Sequence, residues 1–90
     1  MDSDEASLEE MVCHLDSRED LVRFVYALQV SHTEHPEVWD NRDLATFLGA
    51  FAAFLNDAGG YYRNAKLNVS ADTPSWRLFA DCLLAARVYD

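Results

Sequence analysis

Ninety residues, half of them hydrophobic and 12% aromatic, suffice for one domain with one modest core. Against seven basic side chains stand 16 acids, and half of these (Asp2, Asp4, Glu5, Glu9, Glu10, Asp16, Glu19 and Asp20) fall in the first twenty residues, opposed there by Arg18 alone. A chain with a net charge of −9 repels phosphate backbones and anionic lipid heads, which argues against nucleic acid and membranes as partners.

No apolar run approaches the ~18 residues of a membrane span. The opening, MDSDEASLEE, is acidic where a secretory leader is basic and then apolar. The expected compartment is therefore the cytoplasm, where Cys13 and Cys82 stay thiols, and the sequon Asn68-Val69-Ser70 is a chance match.

Residues 1–7 read as a disordered acidic tail. Leu8, Met11, Val12 and Leu15 then share one helical face, and Ser7 followed by Glu10 has the form of a capping box, so a short helix is expected over 8–15. The next helix is expected over 18–32, capped by Ser17, with Glu19 and Asp20 in the first turn where the helix dipole favours them. Leu21, Phe24, Val25 and Leu28 form its inward stripe, with His32 on the same line. Val22, Tyr26 and Val30 form a second stripe that predicts a second neighbour, and Pro36 ends the helix within a few residues.

The stretch WDNRDLATFL, residues 39–48, reads as a helix start. Asp40 or Asn41 caps it, and Trp39 staples against Leu44. Leu44, Phe47, Leu48, Phe51, Phe54, Leu55 and Ala58 keep helical spacing until Gly59-Gly60, which is expected to stop the helix. No charge occurs between Asp43 and Asp57, a pattern normally found in a helix central to its protein. Residues 59–73 are expected to form a long aromatic connection, either with a hairpin around Asn64-Ala65 or draped over the core. The final helix starts with Thr73 as cap and Pro74 at its first position. It turns Trp76, Phe79, Ala80, Leu83 and Ala86 inward, with Cys82 beside them.

Candidates for chemistry are few. His32 and His35, or Cys13 and His14, fall short of the paired four-ligand spacing of a structural zinc site, so no metal is expected. Glu37 and Asp40, with His35 near in sequence, have no sign of the apolar cleft that would separate their pKa values into an acid and a base. The sequence contains no glycine-flanked serine, no cysteine with an evident activating partner and no phosphate-gripping glycine loop. Neither an enzyme nor a cofactor is expected. Two surfaces remain: Tyr61, Tyr62, Arg63 and Lys66, residue types enriched at interface hot spots, and the alanine-rich flank of the third helix.

The pattern Trp39-x-Asn41, Leu44, Phe47-Leu48, the run from Ala50, then Trp76, Ala80, Leu83, Tyr89 and Asp90 resembles a family of small acidic bacterial domains with no established function. The resemblance covers roughly residues 20–90. The chain departs from it at Gly49 and Phe54, where family members often carry an acid and a tryptophan. Gly49 weakens a helix by about 1 kcal/mol relative to alanine, from which tight packing at that position is expected.

The expected fold is all-α: one domain over residues 1–90, a bundle of three main helices plus a short N-terminal one, with a long aromatic loop before the last. The expected function is a non-catalytic protein-interaction module with a protein partner, a basic one by charge. The alternatives are an immunity-type inhibitor of a basic toxin and a self-associating structural protein forming a homodimer through the uncharged helix.

Overall fold

The computed structural model describes residues 4–89, with side chains from residue 7 onward, and the described residues form helices, turns and loops without strands. Four α-helices follow in order: α1 (Asp4–Cys13), α2 (Arg18–Glu34), α3 (Leu44–Asn64) and α4 (Trp76–Ala86), with a single 3₁₀ turn at Pro36–Val38. The all-α expectation holds. The expected arrangement inside it does not, because α4 packs against α1, α2 and α3, whereas α3 touches α4 alone among the helices.

The reason is readable in what α3 buries. Ala50, Phe54, Ala58 and Tyr62 recur at strict four-residue spacing and make one narrow line of contact. Freedom from charge made α3 look central, but small and apolar side chains only permit burial on many sides, and α4 covers just one of them. Two cores result, one on each side of α4. Leu8, Val12, Leu15, Leu21, Phe24, Leu28, Trp39 and Ala80 form the first. Phe54, Ala58, Tyr62, Leu78 and Cys82 form the second.

Several boundaries differ from the sequence expectations. The first helix begins at Asp4, so residues 4–7 are helical and not a disordered tail, while residues 1–3 lie outside the described residues. Ser7 sits inside α1, because the three-residue spacing to Glu10 suits a helix interior as well as a capping box. Ser17 caps α2 as expected, accepting from the Asp20 N–H at 3.0 Å, and α2 runs two residues past its expected end to a C-cap at His35. The second stripe of α2, Val22, Tyr26 and Val30, faces outward, as do Val25 and His32, which were expected inside.

Gly59-Gly60 does not stop α3, which continues through both to Asn64. Glycine weakens a helix by roughly 1 kcal/mol per residue, and burial of Ala58 before the pair and Tyr62 after it carries the helix across. The real terminator is Lys66, the one non-glycine residue with positive φ among those described (59°). Its N–H donates to Arg63 O (3.1 Å) and the Leu67 N–H to Tyr62 O (3.0 Å), a Schellman closure built on lysine where glycine is usual. The connection is thus residues 65–75, shorter than expected and without a hairpin. It drapes Val69 and Ala71 over the second core. Gly49 was expected beneath a close neighbour, yet a Cβ there would meet nothing within 4 Å.

The last helix is capped by Ser75, whose Oγ accepts from the Leu78 N–H (3.0 Å), two residues later than the expected Thr73 start. Ala80, Cys82 and Ala86 are buried as expected and Leu83 partly so. Trp76 and Phe79, expected inside, are 43% and 46% exposed.

Candidate functional site

Residues 39–43 hold the middle of the chain in place. Trp39 is buried: its Nε1–H donates to Ser31 Oγ (3.0 Å), its ring meets His32 edge-on at 4.9 Å, and it stacks on Phe47 at 5.8 Å. The staple expected with Leu44 is therefore made with Phe47, one turn further, and Leu44 is 71% exposed. Neither Asp40 nor Asn41 caps α3. Asp43 does, accepting from the Thr46 N–H at 2.8 Å, a bond that lowers the Asp43 carboxyl pKa. Asp40 is exposed.

Asn41 does something no local pattern indicates. Its Nδ2 donates to Ala86 O (3.0 Å) and Tyr89 O (2.9 Å), and its backbone N–H donates to Arg87 O (2.8 Å). Three carbonyls at the end of α4, 45 to 48 residues away in sequence, are satisfied by one asparagine. The Trp39-x-Asn41 signature is thus a clasp: Trp39 seals the first core and Asn41 closes α4.

The residues singled out at 61–66 do not form one surface. Tyr62 is 2% exposed, and its hydroxyl donates to Asp81 Oδ2 at 2.6 Å, while Arg77 Nε donates to the same oxygen at 2.9 Å. Burial, then the bond to Asp81, pushes the Tyr62 pKa far above its ordinary value. Burial and the Asp81 charge push the neighbouring Cys82 thiol up to about 11, so it is inert at neutral pH. Tyr62 and Asp81 therefore lock α3 to α4. Lys66 terminates α3, whereas Tyr61 and Arg63 are exposed, with the Arg63 guanidinium lying along Gly59 and Gly60. These two line a shallow hollow in which Tyr89 donates to Asp57.

The other candidate groups form no cleft. His32 Nε2 sits 3.1 Å from Arg42 O, while His35 Nδ1 lies 3.5 Å from Glu37 Oε2 on the open surface. Among the described residues no group of three or more His, Cys, Asp or Glu side chains could hold a metal ion.

The most distinctive surface comes from a missing contact. Both α2 and α3 pack on α4 but not on each other. Between them lies a trough of about 510 Å³, walled by Val25, Gln29 and His32 of α2 and by Leu44 and Phe47 of α3, with Leu83 of α4 at its base. Further along, Phe79 lies one turn from Leu83 and meets Phe51 edge-on at 5.9 Å. Phe79 itself lines a second, separate hollow of about 580 Å³ with Trp76, Pro74 and Leu15. Sequence reasoning missed this trough because periodicity shows that a side chain is apolar, not whether a neighbour covers it. The only available signal was an excess of apolar positions on α2 and α3 beyond one inward stripe.

A small all-α domain with an open apolar trough and a buried polar lock is the class defined by this architecture. Residues 17–90 match the model of a family of unknown function (DUF7660), and the chain belongs to that family. No curated protein and no solved structure matches it. Of the residues that carried the resemblance, Trp39, Asn41, Phe47, Ala50 and Ala80 have structural places, whereas Leu44, Leu48 and Trp76 are exposed. No helix among the described residues is long and apolar enough to cross a membrane.

Proposed function

We propose that the protein is a non-catalytic interaction module that seats an amphipathic helix in the trough between α2 and α3. One observation carries this reading: two helices flank α4 without meeting, leaving Val25 and Leu44 exposed on the trough walls, with exposed Leu48 one turn along α3, where a further helix of a bundle would pack. Large uncovered apolar surface on a small domain is the usual mark of a binding face. The exposed positions of His35, Glu37 and Asp40, on the open surface and lining none of the hollows described above, support a non-catalytic role.

The test is a dye titration with anilinonaphthalene sulfonate on the intact protein and on Leu44→Glu, at an exposed wall of the trough, with helicity checked by circular dichroism. Enhanced fluorescence that Leu44→Glu abolishes at unchanged helicity is the expected result. Equal fluorescence from both proteins removes the trough as the binding face.

A second reading, an acidic binder of a basic protein such as an immunity protein for a toxin, is favoured by the acids crowded into the first twenty residues. The two part on salt. A partner held by the trough stays bound as salt rises, whereas one held by the acidic segment is released within the range over which charges are screened.

A further inference from the structure

We propose that the occupant of the trough is α3 of a second copy of this chain, in a symmetric dimer where each copy supplies one ridge and one trough. This rests on the reading of the trough as a helix-docking site and names the helix. Leu44, Leu48 and Leu55 lie on one face of α3 at helical spacing and are 71%, 55% and 44% exposed, a ridge that begins at Leu44 on the wall of the hollow and runs along α3. A face that carries both a ridge and a groove is self-complementary, as a two-fold interface requires.

The area is sufficient. At their observed exposures, Leu44, Leu48, Leu55, Val25, Trp76 and Phe79 together offer on the order of 600 Å² of apolar surface, the upper end of what an ordinary monomer leaves uncovered. Partly buried Phe47, Phe51 and Leu83 beneath them bring the face close to the ~800 Å² each partner contributes to a standard interface.

Charge selects the occupant. Two chains at −9 repel overall, but residues 44–56 carry no charge, and α1, where the acids crowd, makes no contact with α3. A basic helix would gain little here. The charged residues lining this trough and the hollow beside it on α2 are Asp43, Arg42 and Arg18, and Asp43 already accepts from Thr46. The uncharged face of α3 matches a trough whose charged lining is confined to Arg42 and Asp43 at one end.

The experiment is sedimentation equilibrium of the full chain from low micromolar to near-millimolar concentration, at low and high salt, beside Leu48→Glu and Phe79→Glu. Both positions are exposed, so the variants should keep their helicity. The expected result is twice the chain mass, held or strengthened by salt, with either variant weakening dimerisation by about 100-fold or more, since each mutation enters the interface twice. A dimer unaffected by both variants overturns the proposal. So does a monomer at every concentration. A monomer that still binds the dye in a Leu44-dependent way leaves the trough as a docking site with a different occupant. A monomer that binds no dye ends both readings.

Discussion

Leu48 and Phe54 sit six residues apart on the same helix and are equally apolar, yet one is 55% exposed and the other 5%. The C-terminal half of α3 lies on α4 through Phe54, Ala58 and Tyr62 and is fastened by the Tyr62 hydroxyl on Asp81. The N-terminal half is held at its start by Asp43 and by Phe47 stacking on Trp39, and it leaves its leucines uncovered. The contrast shows that burial is decided by which partner is within reach: α3 has one half packed on α4 and one half left largely open.

Truncation separates the halves most sharply. Phe54→Ala should lower unfolding free energy by about 3–5 kcal/mol in urea titration, by lost transfer energy and a cavity. Tyr62→Phe keeps the ring and removes the donor to a buried carboxylate, and should cost about 1.5–3 kcal/mol with helicity unchanged.

Alkali probes the same half. The Cys82 pKa is raised from 9.0 to about 11 in the folded state, so its contribution is complete below pH 9 and lost as pH climbs toward 11. The unfolded chain gives up that proton first, and stability falls by at most ~1.4 kcal/mol per pH unit from this group. Tyr62, also raised, extends the decline above pH 10. Melting curves across that range should therefore fall, and Cys82→Ala should flatten the portion between 9 and 11.

Lys66→Gly relieves the left-handed backbone at the end of α3 and should raise stability by about 1 kcal/mol. Leu48→Ala, measured where the chain is monomeric, should change stability by less than ~0.5 kcal/mol. A cost near that of Phe54→Ala would mean the open half is core after all.

Much of the fold was legible where local chemistry decides it. The Ser17 cap, the inward stripe Leu21-Phe24-Leu28 and the burial of Ala80, Cys82 and Ala86 follow from spacing and cap preference. Helix ends were less legible, because each had a near-equivalent competitor: Asp40 and Asn41 beside Asp43, Thr73 beside Ser75, Gly59-Gly60 before Lys66. The candidate site was the least legible. Tyr62 looked like a contact residue until Asp81, nineteen positions on, engaged its hydroxyl.

By itself, then, the sequence determined an all-helical domain, a large negative charge and the family over residues 17–90, since helical periodicity, charge and motif spacing are all local quantities. Only the tertiary structure decided that α4 is the shared wall, that Asn41 closes it from 45 residues away, and that α2 and α3 stand apart. Those facts depend on which surfaces meet in space, and an apolar residue has the same local signature whether it is covered or left open for a partner.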